Sequence, residues 1–175
     1  MADKYVWYAC YGSNLSKKRF LFYIKGGFCE LNNKVYEGCV NKSEPIKDRP
    51  IEIPHRLYFG NRSCSWNGGG VTFIDPQQNR AERTLGRMYL ITEEQFEQVH
   101  KQEGPGPDWY GKVLELGEAD GYKIKTFTSE KIRCANSPHP LYLQVIAEGL
   151  KETYPEMSSK AIREYLATVT GVTGA

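Results

Sequence analysis

The run from Tyr5 to Tyr11 is rich in aromatic and β-branched residues and stops at Gly12-Ser13-Asn14. Such a run reads as a buried strand meeting a turn. A helix over 15–25 should follow, capped by Ser13 or Asn14 and ended by Gly26 and Gly27, because glycine accepts the left-handed backbone a helix end requires. A strand that turns straight into a helix brings unpaired N–H groups and the positive end of the helix dipole to one point. That point is an anion pocket, and Ser13 and Asn14 add side-chain donors to it. Taken alone, the same turn is more often an ordinary helix cap.

Further along, Pro45, Pro50 and Pro54 break any long element between Gly27 and Gly70, leaving short pieces such as Arg56-Leu57-Tyr58-Phe59. Residues 71–74 and 83–91 read as strands. Thr92 and Gln95 make a capping box for a helix that carries Phe96, Val99 and His100 on one face and ends near Glu103, before Gly104-Pro105-Gly106-Pro107. Residues 112–116 and 122–128 form a strand pair. Pro140 opens a helix whose face is Tyr142, Val145, Ile146, Gly149 and Leu150, and Pro155 ends it. Ser158 or Ser159 caps a last helix reaching about Thr168. Strands gathered between separated helices, without βαβ alternation, predict an α+β fold. Its mixed, twisted sheet, open or closed into a small β-barrel, is surrounded by helices.

The chain has 175 residues, 40% of them hydrophobic, enough for one core, so residues 1–170 are expected to form a single domain with a loose tail at 171–175. Lys and Arg total 23 against 21 Asp and Glu, and a net charge of +2 offers no broad attraction to nucleic acid or an anionic membrane. A small-molecule partner is the better expectation. No apolar stretch is long enough to span a bilayer, and Asp3 and Lys4 precede the first apolar run, unlike a secretion signal. Cys10, Cys29, Cys39, Cys64 and Cys134 lie scattered, without a C-x-x-C pair or a neighbouring His. Neither a disulfide framework nor a metal site is indicated, and reduced thiols in a cytoplasm fit best.

The string Tyr11-Gly12-Ser13-Asn14-Leu15 after an aromatic strand resembles the signature of the γ-glutamylcyclotransferase-like (AIG2-like) family. The likeness runs on in order through Leu57-Tyr58-Phe59-Gly60-Asn61, Trp66-Asn67-Gly68-Gly69 and Leu85-Gly86-Arg87-Met88-Tyr89. It continues through Gln102-Glu103-Gly104 with Tyr110, and Ser137-Pro138-His139-Pro140-Leu141-Tyr142. It covers about residues 6–152, and 26–54 fit it least. The resemblance implies cyclisation of a γ-glutamyl amide to 5-oxoproline with release of an amine, without cofactor or metal. The substrate's own α-amine is the nucleophile, so the protein folds the glutamyl arm and manages protons.

The resemblance assigns Tyr11, Gly12, Ser13, Asn14 and Leu15 to substrate binding, Glu103 to general acid/base work, and Tyr110 and Tyr142 to the pocket wall. The stretch 104–109 is expected to face the leaving group. At the C-terminal end of its helix and partly buried, Glu103 should have a raised pKa. Members of the family often carry a tyrosine where this sequence has Phe127. The partner is then a small γ-glutamyl substrate, with no nucleic acid and no membrane, for a monomer or homodimer. Two alternatives stay open: a cyclotransferase for a pathway-specific γ-glutamyl amine, and a non-catalytic small-molecule-binding or regulatory protein on the same scaffold. A cysteine hydrolase built on Cys10 with His100 or His139 would need an imidazole within reach of the sulfur.

Overall fold

The computed structural model describes residues 4–172, so the last three residues of the expected tail lie outside the described residues. Strand β1 (Tyr5–Cys10) is the middle of a five-stranded sheet. On one side it pairs antiparallel with β7 (Thr84–Thr92), and β4 (Asp48–Ile53) forms the edge beyond. On the other side it runs parallel to β9 (Tyr122–Thr128), which pairs antiparallel with the outer β8 (Lys112–Ala119). A strand in this position is covered on both faces, which is why Val6, Trp7, Tyr8, Ala9 and Cys10 are all buried and the sequence shows a continuous apolar run rather than alternation.

Two ribbons stand apart from this sheet: β2 (Gly27–Cys29) with β3 (Lys34–Tyr36), and β5 (Leu57–Ser63) with β6 (Gly69–Ile74). The architecture is α+β, as the segment pattern requires, but the strands do not close into a barrel among the described residues. The helices are α1 (Lys17–Lys25), α2 (Glu93–Glu103), α3 (Pro140–Thr153) and α4 (Ser159–Ala167). No helix of the described residues is long and apolar enough to cross a membrane.

Local chemistry sets most of these limits as expected. Thr92 and Gln95 form the reciprocal capping box of α2, Pro140 occupies the first turn of α3, and Ser158 caps α4. The start of α1 differs. Residues Ser13–Leu15 make one 3₁₀ turn, and α1 begins only after Ser16, whose hydroxyl accepts from the Arg19 amide. Asn14 and Leu15 are held inward by buried contacts, so the cap moves to the next residue able to accept. Pro50 does not break a strand but lies within β4, tolerated because β4 is an edge strand with one side free of ladder bonds.

Helix α3 packs directly on the 3₁₀ turn. Gly149 makes this approach possible: a Cβ there would lie 2.5 Å from the Ser16 amide nitrogen and 2.6 Å from the Leu15 carbonyl carbon. Those neighbours are backbone and cannot rotate away. Gly149→Ala is therefore expected to destabilise the protein by about 1–3 kcal/mol, the usual cost of overpacking, read as a lower urea midpoint at unchanged slope. A midpoint equal to wild type would mean that the helix and the turn are free to separate.

Candidate active site

The loop between β1 and α1 and the end of α2 meet at one pocket. Its wall includes Gly12, Ser13, Asn14, Glu103, Tyr110 and Tyr142, and its volume is about 40 Å³. A larger compartment of about 290 Å³ shares Ser13, Glu103, Tyr110 and Tyr142 with it and extends outward over Arg19, Tyr23, Lys34 and Trp66.

Glu103 is the last residue of α2 and is half-buried. The side-chain amide of Asn14 donates to its Oε1 at 3.0 Å, so the carboxylate points at the loop and not away from it. Burial pushes the Glu103 pKa up, and the positive charges of Arg19 and Lys34 with hydrogen bonds from Tyr23 and Asn14 offset only part of that. Asn14 is itself tightly placed. Its Nδ2 also lies 3.2 Å from the Tyr8 hydroxyl, and its carbonyl accepts from Tyr89 at 2.8 Å. Its Oδ1 is buried without a hydrogen-bond partner among the described residues.

The loop presents its donors differently from the sequence expectation. The amides of Leu15 and Ser16 close the 3₁₀ turn onto the carbonyls of Gly12 and Ser13, whereas those of Ser13 and Asn14 take no protein acceptor among the described residues. The free donors at this turn are thus the loop's own N–H groups, and α1 with its dipole starts later, after Ser16. Gly12 is required by close approach: a Cβ would sit 2.1 Å from the Thr72 hydroxyl oxygen.

Tyr110 and Tyr142 both converge on Thr72 of β6. The Tyr110 hydroxyl donates to the Thr72 carbonyl at 2.8 Å, and the Thr72 amide donates to the Tyr142 hydroxyl at 3.1 Å. Tyr11 lines the inner pocket with its hydroxyl committed to the Phe127 carbonyl at 2.6 Å. Leu15 is not brought to the pocket wall. Its side chain is buried in the core, and its carbonyl accepts from Arg87 at 2.9 Å, so it holds the loop from behind. Of the stretch 104–109, Gly104 and Trp109 line the outer compartment.

Phe127 stacks between Tyr8 and His100, with ring centroids 5.4 and 4.6 Å away, and forms part of the inner wall. Sequence reasoning passed over Tyr8, Thr72 and Arg19. Arg19 did leave a signal, because it falls between the apolar positions Phe20, Tyr23 and Ile24 on the buried face of α1.

Cys10 does not form a nucleophile–base pair. Its thiol donates to the Arg87 carbonyl at 3.2 Å, and burial pushes its pKa far up. His100 is bonded to the Tyr110 carbonyl, and His139 caps α3 through the Leu141 amide. No three of the His, Cys, Asp and Glu side chains gather into a metal-binding group among the described residues.

The same arrangement of elements occurs in solved proteins. A structure described as a γ-glutamyl cyclotransferase superposes with a TM-score of 0.65 over 98% of this chain and 93% of its own, at 20% sequence identity. The chain has the γ-glutamyl cyclotransferase fold. A second structure with this arrangement, YkqA from Bacillus subtilis, matches with a TM-score of 0.61 over 97% of this chain and 56% of its own, at 16% identity.

At these identities the likeness is one of fold. No family model matches the chain. Among curated proteins, histone deacetylase 5 of Arabidopsis thaliana is 34% identical over 185 aligned positions, which take in 84% of this chain. The chain spans only 28% of that relative's length.

Proposed function

We propose that this chain is a γ-glutamylcyclotransferase, which converts a γ-glutamyl amide to 5-oxoproline and a free amine with Glu103 as the single proton carrier. One observation carries the reading: the Glu103 carboxylate reaches across the pocket to Asn14 of the glycine loop at 3.0 Å. A glutamate serving only surface solubility would have no reason to face a loop with unused amides.

In this reading the glutamyl arm lies in the inner pocket. The buried Asn14 Oδ1 accepts from the α-ammonium, and Glu103 takes one of its protons. A carboxylate whose pKa is raised by burial is a stronger base for that task than one in water. The freed amine attacks the γ-carbonyl carbon, a C–N bond forms, and negative charge develops on the carbonyl oxygen. The amides of Ser13 and Asn14 donate to that oxygen, fixed in advance by the 3₁₀ turn. Glu103 then returns its proton to the leaving nitrogen as the original amide C–N bond breaks, takes the second proton from the ring nitrogen to give the neutral lactam, and passes it to the released amine.

Ring closure of a bound arm draws on proximity more than on an external nucleophile, which matches a site whose Cys10 is engaged elsewhere. The test is release of 5-oxoproline from γ-glutamyl dipeptides and γ-glutamyl amines, with the freed amine measured in parallel. Equimolar appearance of both is the expected result. A folded protein that binds these compounds and releases neither product would sustain the binding-protein reading instead.

A further inference from the structure

The described residues include two buried arginines, Arg19 and Arg87, and their surroundings differ sharply. Arg87 is saturated: its nitrogens reach Asp48, Glu152 and the Leu15 carbonyl. Arg19 has no acidic group within 4 Å among the described residues. Its Nη2 donates to the Tyr36 hydroxyl, while Nε and Nη1 are buried without partners.

Its guanidinium lies against Tyr23, Tyr36 and Trp66, with the carbon 5.2, 4.7 and 5.8 Å from their ring centroids. Burying a cation with unmet donors is unfavourable unless an anion arrives to meet them. Each of those rings lines the outer compartment, as do Arg19 itself, Lys34 and Arg62. Neither Lys34 nor Arg62 is in a salt bridge among the described residues. Among the described residues the only carboxylate in that wall is Glu103. Three cations against one acid leave room for two further negative charges.

We propose that the outer compartment is an anion subsite for the leaving group, and that the preferred leaving amine carries two acidic groups, as an acidic amino acid does. The assignment of this anion to the leaving group rests on the cyclotransferase reading, in which the inner pocket already holds the glutamyl arm. The chemistry is balanced without any further reactant. The γ-carbonyl carbon exchanges its bond to the acidic amine for a bond to the α-nitrogen, and the two protons that the α-ammonium sheds leave on the amine as its ammonium. Lys34 sits half-buried on β3 and Arg62 on the exposed rim of β5, so Arg19 meets the inner acidic group and the other two the outer one.

The test compares γ-glutamyl-aspartate, γ-glutamyl-alanine and γ-glutamyl-ethylamide, whose leaving groups carry two, one and no carboxylates. The value of kcat/KM is expected to rise about tenfold for each carboxylate, the worth of a hydrogen bond to a charged group, and the ladder should compress as salt is raised. Lys34→Gln should cut the aspartate-to-alanine ratio by about tenfold, mainly through KM. Arg19→Met should cut the alanine-to-ethylamide ratio likewise. Because Arg19 is buried and its variant is at risk of misfolding, the half-buried Lys34 and the exposed Arg62, as Arg62→Gln, carry the comparison independently.

Equal kcat/KM for all three substrates would overturn the subsite and leave the cyclotransferase reading standing. If none is turned over, that reading fails, and calorimetry decides the subsite. L-Aspartate binding that exceeds ethylamine binding and weakens in Lys34→Gln sustains an anion site; equal affinity for the two removes it.

Discussion

Glu103→Gln is expected to lower kcat for 5-oxoproline formation by at least about a hundredfold while leaving the fold intact, the usual worth of a positioned acid/base. Glutamine is the informative replacement because its carbonyl oxygen can still accept from Asn14, so the 3.0 Å contact and the loop geometry survive while the titrating proton is lost. An interaction made only in the transition state should reduce kcat and kcat/KM together with little change in KM. Loss of less than about tenfold would remove Glu103 from the proton path and leave a carboxylate that merely positions Asn14.

The same variant has a second signature in stability. Burial raises the folded-state pKa of Glu103 above its unfolded value, so the folded protein holds that proton more tightly than the unfolded chain does. Its contribution to stability is therefore greatest below the unfolded carboxylate range and declines as pH rises through the folded pKa. Glu103→Gln removes this decline. Its thermal midpoint relative to wild type should be higher at pH 8 than at pH 4, an inversion of what losing a salt-bridged carboxylate would produce. A stability difference that is constant with pH would mean that the carboxylate is as well solvated when folded as when unfolded.

Much of this arrangement could be read along the chain where a local rule acts alone. The capping box at Thr92 and Gln95, the positive-φ Gly26 after α1 and the buried face of α3 each follow from a handful of neighbouring residues. The elements missed by the sequence lie where tertiary contact overrides the local signal. Pro50 reads as a breaker, yet an edge position absorbs it, and β2 and β3 are three-residue strands whose pairing no periodicity could announce. Ser16 displaced Ser13 and Asn14 as the cap because Asn14 is drawn to Glu103, eighty-nine positions away.

The candidate site divides in the same way. The glycine loop and Glu103 could be named only because their motifs resemble those of the γ-glutamylcyclotransferase-like family; by themselves they read as a helix cap and a glutamate before a turn. Thr72, which ties Tyr110 to Tyr142, is one threonine in an apolar strand, and only the fold gives it two tyrosine partners. Arg19 was legible in part, as a charge on a buried helical face, but the outer compartment beside that charge is built from five stretches, 13–23, 34–36, 62–71, 102–110 and 142.

Arg87 ties β7 to β4, to α3 and to the turn after β1, and its removal is expected to cost several kcal/mol. From β7 it donates to Asp48 of β4 through Nε at 2.9 Å and Nη2 at 2.7 Å, to Glu152 of α3 at 2.5 Å and to the Leu15 carbonyl at 2.9 Å. Arg87→Met fills similar volume but leaves Asp48 and the Leu15 carbonyl without their donor. Breaking a buried pair by deleting one partner costs about 3–5 kcal/mol; because Glu152 is 45% exposed and regains water, about 3 kcal/mol is expected here. For a chain of this size that is a fall in Tm of roughly 6–12 °C.

Glu152→Gln, which removes only the solvent-facing arm of the cluster, should cost under about 1 kcal/mol. The contrast between the two variants separates a buried clamp from a surface ion pair. Since the clamp reaches the glycine loop through Leu15, Arg87→Met should also raise KM for the proposed reaction at temperatures where the protein is still folded. Equal losses of stability in the two variants, or an unchanged KM in Arg87→Met, would mean that the loop keeps its shape by the 3₁₀ turn and Gly149 packing alone.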